Sequence, residues 1–180
     1  MALRVAPSVE NYTLGGGIVY AALWDGTTPP EEADYFDLGN APAFGYTVSI
    51  SKYEHKSSRV GSLEIDKSLV KEKGYTITFT LDEPTLDNLA LFVKGTISGS
   101  YIYALENPNQ EVAIRFVSDN DYGENVILDA WRMSIDPNGE FSEISIETAK
   151  EMKFTCTGLS DVANHPTNRW FRLTKVDVTT

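Results

Sequence analysis

His55 stands beside Glu54, Ser57 and Ser58, the residue types of a base that takes a proton from a hydroxyl nucleophile. That chemistry needs the groups to converge in space, and no nucleophile-elbow pattern surrounds them, so His55 reads as the polar end of a strand. His165 precedes Pro166 in a polar loop and reads as a solvated side chain. Asp119, Asp121 and Glu124, within SDNDYGEN, offer hard oxygen ligands that suit a divalent cation. The glycine spacing and the terminal bidentate glutamate of a calcium loop are both missing, which leaves a solvated turn. Gly15, Gly16 and Gly17 lack the spacing and the Lys-Ser/Thr of a phosphate-binding loop, and read as a flexible N-terminal segment. Glu143 and Glu147 share one strand face, as a glycosidase pair would, but without an aromatic cleft pattern around them. Trp24, Trp131 and Trp170 each lie within an apolar strand, where core or interface packing outweighs a sugar platform. The single cysteine, Cys156, sits in an apolar–polar alternation and reads as a small core side chain. No catalytic, cofactor-binding or metal-ligating residue is assigned, no cofactor is expected, and the chain is not read as an enzyme.

The elements behind these residues are mostly strands. Ile18–Trp24 is a short apolar strand, and 25–43 an extended loop with turn residues at Asp25-Gly26, Pro29-Pro30 and Gly39-Asn40. Phe44, Tyr46, Val48 and Ile50 share one face of the next strand. Tyr75, Ile77, Phe79 and Leu81 share one face of another, with Thr76, Thr78 and Thr80 opposite. A helix is predicted over 84–93: Pro84 suits a first turn capped by Asp82 or Glu83, Leu86, Leu89, Ala90 and Val93 form one stripe, and Lys94-Gly95 ends it. Beyond it, 100–105 and 111–117 flank a hairpin-like turn at Asn107-Pro108-Asn109. The stretches 125–135 and 141–153 flank Asp136-Pro137-Asn138-Gly139, a strong hairpin signal. In the second of these, Ile144, Ile146, Thr148, Met152, Phe154 and Cys156 share one parity. Glu143, Glu147, Glu151 and Lys153 share the other. A last strand covers 169–176. The fold class is mainly β: an antiparallel β-sandwich or partly rolled sheet with one flanking helix, as a single domain over 1–180.

Charge is distributed unevenly over this frame. Residues 52–73 hold six of the fifteen Lys and Arg residues and only four acids, a net +2 on a chain of net charge −11. An acidic chain lacks the clustered cations that replace phosphate counterions, and disfavours sticking to DNA or anionic membranes. No apolar run approaches the ~18 residues of a membrane helix, and the first residues carry no secretory-type apolar stretch, so folding in a cytoplasm is expected. Connections as long as 54–73 are functional or disordered in compact domains. We read it as an arm that reaches another acidic protein surface, such as a second copy of this chain.

The block 35–95 resembles the major tail tube proteins of long-tailed, siphovirus-type bacteriophages. Three pieces carry the resemblance: YFDLGNAPAFGYTVSISKYEH, the arm KSSRVGSLEIDKSLV, and YTITFTLDEPTLDNLALFVKG, a Thr-rich strand running into a helix. The resemblance implies a sandwich-like β-domain whose copies form rings, usually hexamers, stacked into a hollow tube of the virion tail. A long inter-strand loop of each subunit contacts the neighbouring ring. DNA passes transiently and without specificity through an acidic lumen. It further implies tail-tip or initiator, tape-measure and terminator proteins as partners, assembly in the host bacterial cytoplasm, and no membrane partner. Some relatives add a C-terminal immunoglobulin-like domain; with the last strand ending near Thr180, none is expected here.

On that resemblance the inter-ring contacts fall to Lys56, Arg59, Val60, Leu63, Glu64, Ile65, Asp66, Lys67, Leu69, Val70 and Lys71, and the lumen-facing acids to Glu143, Glu147 and Glu151. The alternatives are a monomeric β-sandwich that binds a glycan or receptor, and a secretion-system tube relative.

Overall fold

The structure is a computed structural model that describes residues 13–58, 61, 63–143 and 150–176. Its strands are β1 (Leu14–Trp24), β2 (Phe36–Asp37), β3 (Ala43–Ser57), β4 (Glu64–Leu81), β5 (Thr96–Ser98), β6 (Tyr101–Tyr103), β7 (Glu111–Tyr122), β8 (Asn125–Pro137), β9 (Met152–Gly158) and β10 (Phe171–Val176). One helix, α1 (Leu86–Phe92), follows β4. The strands of the main sheet run in the order β2-β1-β7-β8-β9-β4-β3, with β10 also on β8 and every pair antiparallel. β5 and β6 form a separate small hairpin.

β8 is the pivot. One of its edges pairs with β7. The other pairs with β10 over Asn125–Ala130 and with β9 over Met133–Pro137. The sheet therefore parts along β8 and folds over itself. Phe44 of β3 stacks on Phe116 of β7 at 4.3 Å, and Tyr75 of β4 meets Phe171 of β10 at 4.8 Å. The core between the layers follows from strand alternation. Tyr75, Ile77, Phe79 and Leu81 are buried while the threonines between them are at most half-buried. Met152, Phe154 and Cys156 do the same from β9, with Val112, Ile114, Leu128 and Ala130 opposite. Each fully buried aliphatic or aromatic side chain contributes roughly 1.5–3 kcal/mol. The expected antiparallel β-sandwich with one helix is the observed architecture.

Loop 38–40 and α1 are locked together. Leu38 is buried, and Gly39, at φ 81°, sits where a Cβ would lie 2.7 Å from the Glu83 carboxylate. Asn40 donates to Asp82 Oδ2 (2.6 Å) and, through its backbone N–H, to Glu83 Oε1 (3.2 Å). These acids are thereby engaged, and the helix is capped by Thr85 instead, whose Oγ1 accepts from the Asn88 backbone N–H. Pro84 thus precedes the cap rather than occupying the first turn. The buried Asn88 donates from Nδ2 to the carbonyls of Leu38 (2.8 Å) and Glu83 (2.9 Å). At the other end Lys94, not Gly95, takes the left-handed position (φ 51°). Lys94 N–H donates to Leu91 O and Gly95 N–H to Ala90 O, the paired bonds of a Schellman ending. Gly95 is needed for a different reason: a Cβ there would meet Ile102 and Tyr103 at 2.7 Å.

Four sequence expectations are corrected. The glycines at 15–17 are not a loose leader but part of β1, facing Asn120, Asp119 and Ser118 of β7. A Cβ on Gly17 would strike the Phe116 ring. The turn at 107–109 is not a hairpin, because β6 pairs with β5 and the turn carries the chain across to β7. Of the predicted strand over 141–153, the described residues 141–143, 150 and 151 are not strand, and β9 runs from Met152. Pro137 pairs with Phe154 and Asn138 N–H bonds Lys153 O, and just beyond them Phe141 packs on Phe92 of α1. Ile144, Ile146, Glu147 and Thr148 lie outside the described residues. Finally, the arm is not a loop: β3 and β4 run on through it as a β-ribbon.

Candidate functional site

The ribbon is exposed along nearly all of its described length. β9 covers the edge of β4 only from Thr76 to Leu81, so from Glu64 to Tyr75 β4 pairs with β3 alone. Eight residue pairs from Ile50–Lys73 to Ser57–Glu64 carry it roughly 25–30 Å past the sandwich. Two bulges interrupt the register, between Ser51 and Lys52 and between His55 and Lys56, where β4 holds the extra residues Lys71 and Asp66.

By register, Tyr53 and Leu69 lie on one face, and Ile50, Val70 and Ile65 on the other. All five are exposed, as are Val48 nearer the body and Leu63 at the tip, which is 70% exposed. A two-stranded ribbon is marginally stable at best by itself in water, and apolar side chains on both of its faces have nothing to cover them. The arm residues predicted from sequence are gathered here. Lys56 faces Ile65, His55 faces Lys67, Lys52 faces Val70, and Ser57 faces Glu64. His55 Nδ1 lies 2.6 Å from Asp66 Oδ1, and Lys71 Nζ 3.6 Å from Glu72 Oε1. Arg59 and Val60 lie outside the described residues.

Tyr46, Val48, Ile50 and Tyr53 were not among the predicted contact residues. The first three share the Phe44 face as expected, but only Phe44 is covered. Tyr46 reaches Phe171 at 6.0 Å, and beyond it Val48 and Ile50 project past the opposing sheet. An alternating run that continues into a charged segment was the available signal.

A second apolar surface lies at the opposite end of β4. A cavity of about 270 Å³ opens between α1, β5 and the end of β1, walled by Leu23, Phe36, Ala90, Leu91 and Ile97, with Asp87 beside them. Lys94 also lines it, with Nζ held by Asp136 Oδ1 (2.5 Å) and Pro108 O (2.9 Å). The adjoining β5–β6 hairpin exposes Tyr101, Tyr103 and Leu105.

The other candidate groups make contacts within the fold. Among the described residues no three His, Cys, Asp or Glu side chains stand close enough to hold a metal ion. Asp119 lies in the β1–β7 ladder and Glu124 pairs with Lys175. The three tryptophans share no platform. Trp24 is buried, Trp170 meets Tyr75 edge-on, and Trp131 stacks on His165 at 4.2 Å and donates to Asn168 O. Around Trp131 runs a line of charges. Buried Asp129 accepts from Arg115 Nε (2.6 Å) and Arg172 (2.7 Å), Arg115 also reaches Glu32, and Arg172 lies over the Trp131 ring. Burial opposes the charge on Arg115, but its bonds to Glu32 and Asp129 more than offset this and raise its pKa. Burial also pushes Asp161 up, yet hydrogen bonds from His165 and Asn164 outweigh it and hold the carboxyl below the usual range. Cys156 is fully buried and its thiol pushed up by that burial, as a core residue should be.

Glu143 and Glu151, two of the acids assigned to a lumen, pair with Lys150 (3.0 Å) and Lys153 (3.2 Å); Glu147 lies outside the described residues.

No curated protein matches the chain. Among solved structures, a chain from the virion of a native gene transfer agent (GTA) particle is similar at 10% identity. The alignment covers 89% of this chain and 95% of that one, at a TM-score of 0.42. A family described as "Protein of unknown function UCP028589" matches residues 12–101, from β1 to the start of β6, and so takes in the ribbon and α1. That is half of the 180 residues, and the chain belongs to this family.

Proposed function

We propose that the chain is a structural, non-enzymatic subunit of a phage tail tube, self-assembling into stacked rings whose lumen conducts DNA. The observation that carries this reading is the ribbon: a long hairpin, apolar on both faces, basic overall, and projecting beyond its own core. Such a ribbon is completed by a partner surface. An acidic body on a second copy supplies complementary charge, and coverage of Tyr53, Leu69, Val70 and Ile65 supplies apolar burial. The long outer edge of β3 is a row of backbone donors and acceptors suited to lateral closure of a ring. Six subunits per ring is what the resemblance of 35–95 implies. The acidic balance suits a conduit, because DNA slides past negative walls without the counterion release that binding would bring. Glu143, Glu147 and Glu151 are the proposed lumen acids. The proposed setting is a virion tail assembled in a bacterial cytoplasm, with tail-tip, tape-measure and terminator proteins as partners.

Negative-stain electron microscopy of the purified chain, concentrated over a range of salt, tests this directly. Hollow tubes or stacked rings are expected, and small single particles under every condition would sink the reading. A companion variant isolates the ribbon. Lys52 and Val70 face each other, so joining them through a two-residue turn removes the outer hairpin without touching the sandwich. That variant is expected to melt as the parent does and to form no stacks.

A further inference from the structure

We infer that the cavity between α1 and β5 is the receptor for the ribbon tip of a second copy, so that subunits dock head to tail along the direction of β4. This rests on the tube reading and names the partner surface of the ribbon.

Topology sets the direction. β4 has 18 residues, a span of ~60 Å, with the ribbon tip before its first residue and α1 just after its last. The antiparallel order places the end of β1, the start of β7 and α1 at one end of the sandwich, and the ribbon leaves from the other. A projection at one end and a cavity at the opposite end make a heterologous contact, which repeats along an axis rather than closing a two-fold dimer.

The chemistry of the two ends matches. At the tip, Leu63 and Ile65 are exposed, Lys56 stands directly across from Ile65, and Lys67 follows two residues on; of the acids beside them, Asp66 is engaged by His55 and Glu64 lies across from Ser57, and 52–73 remains net positive. The cavity offers the converse, with apolar walls, Asp87 beside them, and Glu106 on the adjoining turn. The cation in its lining, Lys94, is engaged by Asp136 and does not oppose an incoming lysine. An apolar knob on a net positive ribbon thus meets an apolar hole with acids at its rim, a pairing that favours one register and one partner. The exposed Tyr101, Tyr103 and Leu105 on the neighbouring β5–β6 hairpin extend the surface toward the area a specific interface needs.

Cysteine cross-linking provides the test, since Cys156 is buried and gives no background. Leu63 and Ile97 are both exposed, so Leu63→Cys and Ile97→Cys leave the core intact. The double variant, concentrated and mildly oxidised, is expected to give a ladder of trimers and larger species on a non-reducing gel. Each single variant should stop at a dimer or below. Micrographs of the same samples separate the two levels. Rings or tubes without a ladder would overturn this receptor and leave the tube reading standing. Neither assemblies nor a ladder would overturn both. As an independent check, Leu23→Glu places a charge at the cavity rim and should abolish stacking. Stacking at the parent level would count against the cavity.

Discussion

β4 is two strands in one. From Tyr75 to Leu81 its alternating apolar side chains join β7, β8 and β9 side chains in a buried apolar core; from Glu64 to Gly74 every residue is exposed or half-exposed. The same kind of sequence, apolar residues among polar ones, serves both halves. What differs is whether a second layer lies above it. In the body, alternation and burial agree, so each side chain specifies the fold. In the ribbon, apolar residues face water on both sides, so they add little to the folding of one copy. They become stabilising only when another molecule covers them.

Removing one large side chain from each half is the sharpest way to break that comparison. Phe154 is fully buried and contacts Phe79 and Phe92. Phe154→Ala is expected to cost ~3–5 kcal/mol, read as a lower midpoint in urea or heat. A loss under about 1 kcal/mol would mean that the two layers do not pack as described. Next in size is the join between body and helix. Asn88→Ala strands the Leu38 and Glu83 carbonyls and should cost ~1–3 kcal/mol. It should also loosen 38–40, seen as faster amide exchange at Gly39 and Asn40. Unchanged exchange there would show that the loop is held by Asp82 and Glu83 alone.

The body was largely legible in the sequence, because period-two alternation with β-branched neighbours marks a half-buried strand directly. The Tyr75–Leu81 face, the Met152–Cys156 face and the core position of Cys156 all follow from it. The ribbon was legible only as a charged arm. Its bulges at Lys71 and Asp66 shift the parity of one strand, so Leu69 and Val70 look like a break in alternation when they lie on opposite faces of one ladder. The helix cap was misplaced because Asp82 and Glu83 are good cap residues locally. Their engagement by Asn40, 42 and 43 residues away in sequence, is a tertiary fact. The 136–139 turn misled for a similar reason: its Pro and Gly suit a tight hairpin, yet just beyond it Phe141 packs on Phe92 of α1. The cavity beneath α1 had no sequence signal at all, since its walls come from four separated segments.

A smaller effect is expected from acid. The Asp161 carboxyl is held below its ordinary range in the fold, so its contribution is present above the unfolded pKa of ~3.9 and is lost as pH falls through the lower folded value. Melting temperature should therefore fall more steeply for the parent than for Asp161→Asn as pH drops below about 4. Parallel acid limbs would show that the His165 and Asn164 bonds to Asp161 contribute no pH-dependent stability.

The smallest expected change in the folding of one copy belongs to the ribbon. Ile65 is more than half exposed and faces Lys56, so Ile65→Ser removes apolar surface that water already reaches. The monomer's unfolding free energy should shift by no more than about 0.5 kcal/mol. On the proposed tube reading, the variant's assembly should nonetheless fail at concentrations where the parent assembles, because that reading buries the lost area between copies. A matching drop in monomer stability would place Ile65 with Phe154 and erase the distinction between the two halves of β4. Intact assembly would do the reverse: the ribbon's apolar residues would then be ordinary surface, and the charges on it would have to carry the contact alone. Those two failures are separable, since a charge-only contact would dissolve steeply between low and moderate salt while an apolar one would not.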